Sequence, residues 1–258
     1  MTSVQSMQPT RRGSVLVNIP AWFAIAWLLL LTGGCSIRTL RSPNALVAPY
    51  EETRLWAVVP FANESGVSIV DPYRSAELFT REVQQVHGLN AVPANRVIAA
   101  MRKQEIQSVN SVADAMQLAN MLNVDGIVVG TISDYEPYPP LTLGIKVQLF
   151  DVKHNRIRNF DPQKLTRSPR GTASPGELGH SGPVAQAAGV FDSTNHQTLS
   201  QLQKYSKGRY DPQGAFGKDI YLVRMELYTQ FVSYRLIQDL LLSERERLMP
   251  VPEIVSGR

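Results

Sequence analysis

The chain has 258 residues, of which 43% are hydrophobic and 19% charged, and its formal net charge is +4. This composition is typical of a globular protein and excludes a disordered or fibrous chain. Residues 1–34 contain Arg11, Arg12 and no acid, which leaves +2 on the remainder. Without a block of Lys and Arg, the sequence predicts no nucleic-acid binding. A single cysteine excludes an internal disulfide and a zinc site built from paired cysteines.

The amino terminus has the organisation of an export signal. Arg11 and Arg12 precede an apolar segment whose uninterrupted part, residues 21–31, has 11 residues. A helix that spans a bilayer needs about 20, so this length favours the apolar region of a cleaved signal peptide.

The only cysteine, Cys35, follows directly on the small residues 32–34. This arrangement resembles the lipobox of bacterial lipoproteins, although Thr32 stands where the lipobox usually has leucine. The resemblance implies a signal peptide over residues 1–34, cleavage between Gly34 and Cys35, and a lipid anchor with palmitate on the Cys35 thiol. An uncleaved membrane anchor with an incidental cysteine is the alternative.

The residues after the cysteine predict a tether and a location. Ser36, rather than an aspartate, follows Cys35, and by analogy with enteric bacteria this favours the outer membrane. Residues 35–50 are then a lipidated tether, and the protein lies in the cell envelope on the periplasmic face of that membrane.

Residues 51–152 predict an α/β domain. The valine-rich run 54–61 predicts a buried strand. Asp71 is a plausible N-cap and Pro72 a favourable first helical residue, so a helix is predicted from here to a stop at Gly88.

Two further helices follow a short strand at 89–94. Asn95 is predicted to cap the second helix, which runs to about Arg102. Ser111 and Asp114 have the spacing of a capping box and start the third helix.

Two longer strands complete this region. Residues 124–135 are so apolar at their centre that both faces are predicted to be covered. Residues 141–152 alternate between apolar and polar side chains, which predicts a partly exposed strand antiparallel to its predecessor.

The composition changes after residue 152. Residues 153–217 predict a loop-rich insertion with a short ordered piece at 197–208, and apolar spacings of three and four predict a long helix within 218–249. Its wide apolar arc indicates burial on two sides or contact with a partner. The predicted fold class is α/β: a mixed sheet of about four strands packed with helices, plus a long C-terminal helix and the loop-rich insertion.

Two motifs carry a family resemblance. "LWAVVPFANESG" from Leu55 and "VDGIVVGT" from Val124 resemble the group formed by the TolB amino-terminal domain, the curli lipoprotein CsgG and the lipoprotein LpoB. The resemblance covers about residues 55–152. It implies an envelope protein that binds and organises other envelope proteins, without catalysis and without a cofactor.

Four residues are candidates for partner binding. Asn63 and Glu64 lie at the carboxyl end of the first strand, where α/β sheets form ligand crevices, although a turn in which Asn63 bonds its own backbone is the alternative. Tyr135 and Tyr138 lie in "YEPYPP", a proline-stiffened loop that loses little entropy on binding. The alternative for this loop is a rigid connector packed on the domain.

No catalytic or metal-binding set is evident. His87, His154, His180 and His196 show no HxxxH or HExxH spacing. The main hypothesis is therefore a non-enzymatic, membrane-anchored lipoprotein that acts as a partner-binding accessory or assembly factor of the bacterial cell envelope. One alternative is a subunit of an oligomeric, CsgG-like export channel, so a homo-oligomer is possible. A weaker one is a hydrolase with its site in the 153–217 insertion.

Overall fold

A computed structural model describes residues 45–152 and 182–249. The predicted signal peptide, the Gly34–Cys35 cleavage site and the lipidation site at Cys35 lie outside the described residues, as does the 153–181 part of the predicted insertion. None of the helices in the described part of the chain is long and apolar enough to cross a membrane.

The described residues form six strands and five α-helices. The strands are β1 Arg54–Val58, β2 Ala62–Asn63, β3 Leu89–Ala91, β4 Gly126–Glu136, β5 Thr142–Asp151 and β6 Ala185–Asp192. The α-helices are α1 Pro72–Gln84, α2 Ala94–Lys103, α3 Val112–Leu122, α4 His196–Ser206 and α5 Met225–Leu248. A 3-10 helix, Gly217–Leu222, precedes α5.

The sheet is mixed, with strand order β3-β1-β4-β5-β6 and β2 paired to the upper part of β4. β1 is parallel to β3 and β4, whereas β5 is antiparallel to β4 and β6 is antiparallel to β5. This confirms the α/β class and the antiparallel pairing of the two long strands. The sheet has more strands than the predicted four because β2 and β6 join it.

Two apolar cores lie on the two faces of the sheet. One joins the sheet to α1, α4 and α5, and the other joins it to α2 and α3. Neighbouring residues of β4 enter different cores, Val128 the first and Ile127 the second, and both are fully buried. The prediction that this strand is covered on both faces is confirmed at its centre.

Helix starts follow the sequence signals in two cases out of three. The Asp71 carboxylate accepts hydrogen bonds from the amides of Tyr73 (3.0 Å) and Arg74 (2.9 Å), and Ser111 and Asp114 form a capping box. The predicted cap at Asn95 is wrong. α2 begins at Ala94, two residues before the start that a cap at Asn95 would give. Pro93 takes the cap position, and there is no side-chain cap because a proline side chain has no hydrogen-bond acceptor.

Two elements differ from the sequence prediction. β6 lies in the stretch predicted as loop, because its inward residues are the small Ala185 and Ala187, which carry little apolar signal although they are buried. The predicted helix at 219–248 begins as an α-helix only at Met225, since the preceding turns are 3-10 and leave Val223 43% exposed.

Candidate functional site

We give the name loop edge to the surface at the carboxyl ends of β1, β2 and β4. It consists of residues 61–74, residues 134–141 and the first turn of α5, which lies beside them. Backbone bonds hold the first segment in place, from Phe61 N–H to the Pro72 carbonyl (3.3 Å) and from Glu64 N–H to the Ile132 carbonyl (2.8 Å). An ion pair of 3.0 Å between Arg74 and Glu226 ties α1 to α5. The loop edge is therefore a framed surface rather than a set of free loops.

Asn63 organises the turn that it starts. Its side-chain amide donates to the Val67 carbonyl (2.9 Å), and its carbonyl oxygen accepts from the Ser65 amide (3.1 Å) and hydroxyl (2.7 Å). Glu64, one residue on, is exposed. Asn63 is exposed as well, and its side chain is engaged within this turn.

Tyr135 and Tyr138 have different surroundings. Tyr135 is half-buried against the core shared with α1 and α5, and its pKa is raised first by burial and then by the carboxylates of Asp71 and Glu226. Tyr138 is 70% exposed, and its amide donates to the Glu136 carboxylate at 3.3 Å. Tyr135 therefore anchors the loop and Tyr138 is its exposed tip.

Two exposed apolar residues of the loop edge were not predicted. Ile69 is 60% exposed and Tyr73 is 52% exposed, and both flank the Asp71 cap. The sequence does contain a signal for Ile69, because an isoleucine inside a turn-rich stretch just before a helix cap indicates an exposed apolar side chain. With Tyr138 they give the loop edge three large apolar side chains in contact with solvent.

Carboxylates dominate the charge at the loop edge. Glu64, Asp71, Glu136 and Glu226 are all exposed. The Arg74 guanidinium already pairs with Glu226 and, at 2.8 Å, with Glu77. The surface is therefore a mixture of apolar and acidic groups, which suits recognition of a protein surface that carries Lys or Arg.

A groove of about 530 Å³ lies beside the loop edge, between α1 and the start of α2. Tyr73 and Arg74 line one side and Pro93 and Asn95 the other. It is open and lined by charged side chains that pair with one another, and so lacks the convergent, enclosed polar groups of a small-molecule site.

A buried polar cluster lies below the loop edge, between α1 and α4. Glu82 is 4% exposed and accepts a hydrogen bond from the Tyr205 hydroxyl (3.0 Å) and one from the Gln85 amide (3.2 Å). Its second oxygen is 3.7 Å from the Arg209 guanidinium, which stacks on the Tyr205 ring at 4.2 Å. Burial raises the pKa of Glu82, against the opposing effect of Arg209. The cluster is closed to substrate and joins helices.

This cluster predicts a pH dependence of stability. A raised pKa in the fold means that Glu82 stabilises the protein at low pH, and that this contribution is lost as the pH rises above its ordinary pKa of 4.5. The stability of the parent minus that of Glu82→Gln should therefore fall between about pH 4 and about pH 7, measured by urea unfolding. Glu51→Gln, which removes an exposed carboxylate, is the control for the lost charge. A difference that rises with pH would contradict the assignment.

No metal centre or catalytic group is found among residues 45–152 and 182–249. No three His, Cys, Asp or Glu side chains converge there in a way that could hold a metal ion. His87 lies between α1 and β3 and His196 is the first residue of α4, and His154 and His180 lie outside the described residues. The alternative of a hydrolase in the insertion gains no support from the residues of 182–217.

Comparisons with known proteins give fold-level likenesses only. No family model matches the sequence, and no curated protein matches it. Several solved structures can be aligned at low identity, and three of them are described here. The LpoB C-terminal domain from Salmonella enterica is 12% identical, with 43% of this chain and 77% of that chain covered and a TM-score of 0.34.

The other two have similar scores. Lipoprotein GNA1162 from Neisseria meningitidis is 15% identical, with 60% of this chain and 95% of that chain covered and a TM-score of 0.35. The PelC dodecamer from Paraburkholderia phytofirmans is 11% identical, with 75% and 88% covered and a TM-score of 0.35. All three lie below a TM-score of 0.5 and below 25% identity, so they assign neither a family nor a function to this chain.

Proposed function

We propose that this protein is a non-enzymatic lipoprotein of the bacterial cell envelope, anchored by Cys35, that binds another envelope protein at its loop edge. The observation that carries the proposal is the loop edge itself, where exposed Ile69, Tyr73 and Tyr138 stand in an acidic, hydrogen-bonded frame. Rigid aromatic side chains on a fixed frame lose little entropy on binding. The Cys35 motif supports the membrane anchor, and the resemblance of its strand motifs to the LpoB group supports the accessory role.

The tether enters the domain at the end opposite to the loop edge. Residues 46–48 pair with His87 beside β3, and the Tyr50 hydroxyl donates to Glu244 near the end of α5 (2.9 Å). From Cys35 to Ala45 the chain spans at most about 35 Å when extended. The domain thus stays near the membrane while the anchor leaves the loop edge accessible.

Replacing Cys35 by Ser tests the anchor. The variant should remain an uncleaved precursor that incorporates no labelled palmitate, because the hydroxyl does not replace the thiol in lipid transfer. Metabolic labelling and fractionation of the envelope measure this. Ser36→Cys in the Cys35→Ser background is the matched control, since it restores a thiol one position late. Continued labelling of Cys35→Ser would contradict lipidation at this residue.

Replacing Tyr138 by Ser tests the loop edge. The variant should lose at least about tenfold in crosslinking to envelope partners, an effect typical of an aromatic anchor, while its unfolding free energy changes by less than about 0.5 kcal/mol because the side chain is exposed. Photo-crosslinking in intact envelopes followed by mass spectrometry measures partner capture. Leu242→Ser, at a leucine that is 53% exposed and lies near the C-terminal end of α5, is the control.

The same experiment separates the accessory role from the channel alternative. An accessory protein retains its crosslinks to other envelope proteins when its own copies are few. If the protein instead forms a stable ring of many subunits in detergent, with crosslinks only between its own copies, the result would show a channel subunit and contradict the accessory role.

A further inference from the structure

β6 ends the sheet with a free edge. Within residues 45–152 and 182–249 its only strand partner is β5. Three of its residues on the face away from α5, namely Gln186, Ala188 and Val190, are exposed, and Val190 is 61% exposed. Edge strands are usually protected by lysine, proline or a bulge within the strand, and this eight-residue strand has no lysine and no proline.

The hydrogen-bond pattern shows which groups face outward. Ser193 N–H donates to the Leu141 carbonyl (2.9 Å), and the register places Asp192 opposite Thr142. Because bonded and non-bonded pairs alternate along an antiparallel ladder, the odd-numbered residues of β6 bond to β5. The N–H and C=O groups of Gln186, Ala188 and Val190 and the N–H of Asp192 therefore point to the free edge. The Asp192 carbonyl already accepts from Asn195 at 3.0 Å.

This edge is complementary to itself in an antiparallel arrangement. A register with Ala188 opposite Ala188 also matches outward-facing groups, but only the register with Gly189 opposite Gly189 pairs all four outward-facing residues of β6 with one another. Ala188 then lies opposite the second copy's Val190, and Gln186 opposite the second copy's Asp192. Because the Asp192 carbonyl already accepts a hydrogen bond in each copy, the outward-facing groups that remain allow about six ladder hydrogen bonds between the two copies.

The placement of charge favours this antiparallel pairing. Asp192 is the single charged residue of β6, and the register sets it against an uncharged amide, about 20 Å along the strand from the same residue of the second copy. A parallel arrangement would place the two carboxylates side by side, which destabilises a strand pair.

We propose that two copies of this chain join through their β6 edges into one continuous sheet with a two-fold axis at Gly189. The interface of two strand edges is small, below the size of a stable soluble dimer. Lipid anchors that hold both copies in one membrane raise the effective concentration of one copy around the other, which offsets the small size of the interface. Both tethers reach one membrane when the two-fold axis, which is perpendicular to the sheet, lies along the membrane normal. The pairing goes beyond partner binding at the loop edge and leaves that surface uncovered.

Cysteine crosslinking tests the register directly. In the full lipidated chain in membranes, Ala188→Cys mixed with a size-tagged Val190→Cys should give a heterodimer on mild oxidation, because opposite residues of a bonded pair lie about 5.5 Å apart. Each variant alone should crosslink several-fold less, since identical residues are offset by two positions and exceed about 7 Å. Equal yields with either variant alone, or no crosslink in the mixture, would overturn the proposal.

A disruption series gives a second readout. Adding Val190→Lys to the Ala188→Cys copy should abolish its crosslink to the Val190→Cys copy, and adding Ala188→Glu to the Val190→Cys copy should restore the crosslink through an opposite charge. Val47→Lys, at a valine that is 57% exposed and far from β6, should leave the yield unchanged. An unchanged yield with Val190→Lys would overturn the proposal. The pairing rests on the proposed anchor, and palmitate labelling of the same samples separates the two: a chain that is labelled but gives no crosslink overturns the edge pairing and leaves the anchor intact.

Discussion

Arg247→Met is expected to lower the free energy of unfolding by about 3 kcal/mol, because it leaves a buried carboxylate without its cation. Glu244 is fully buried. Arg247 binds both of its oxygens at 2.7 Å and lies 3.5 Å from the buried Asp151. Breaking a buried pair by removing one partner costs far more than the net contribution of the intact pair.

The buried ion pairs of Glu244, Arg247 and Asp151 also hold the tether. Tyr50 donates to Glu244 and stacks under the Arg54 guanidinium at 4.0 Å, and Arg54 in turn pairs with Asp151 at 2.9 Å. Chemical unfolding measures the loss of stability in Arg247→Met, and limited proteolysis is expected to cut earlier within residues 45–53. Arg245→Met, two positions away and exposed, is the matched control and should change stability by less than about 0.5 kcal/mol. A loss no larger than the control's would contradict a buried ion cluster.

Gly130→Ala is expected to destabilise the protein by about 2 kcal/mol and to disturb the loop edge. A Cβ at Gly130 would lie 2.5 Å from the Phe61 ring, which is 3% exposed and packs edge-on against Phe79. β4 is a central strand paired on both sides, so the backbone has little room to yield. The Phe61 ring has to move, and it begins the loop segment that carries Asn63 and Glu64.

A double-mutant cycle identifies the cause. Phe61→Leu alone should cost about 1 to 2 kcal/mol, and in the Gly130→Ala background it should cost much less, because the smaller side chain relieves the contact. Gly182→Ala, where a Cβ meets nothing within 4 Å, is the control. Additive losses from Gly130→Ala and Phe61→Leu would show that the two positions do not compete for space.

Sequence reasoning was reliable where the signal is local. The Asp71 cap and the Ser111–Asp114 capping box each depend on a few neighbouring residues, and the structure shows both. The apolar centre of β4 likewise reports directly on its burial on both faces, because a strand covered on both sides needs apolar residues at consecutive positions.

The missed features depend on residues far apart in sequence. β6 has the composition of a loop, and it is a strand because β5 offers it eight paired positions. The buried cluster of Glu82, Tyr205 and Arg209 joins residues more than a hundred positions apart, which no spacing rule connects. For the candidate site, the sequence offered a turn bonded by Asn63 and a connector packed on the domain as alternatives to partner binding. The structure shows the Asn63 turn and the packing of Tyr135 on the core.

The sequence by itself determined the α/β class, the start of α1 and α3 and the antiparallel pairing of β4 with β5, because periodicity and capping act within a few residues of one another. Tertiary structure alone decided that the loop edge combines residues 61–74 with Tyr138 and Glu226, that the tether is held by Glu244, and that β6 is the last strand of the sheet among residues 45–152 and 182–249. These features arise from pairing between distant segments, and the free energy that selects them is gained only when the whole sheet and its helices are in place.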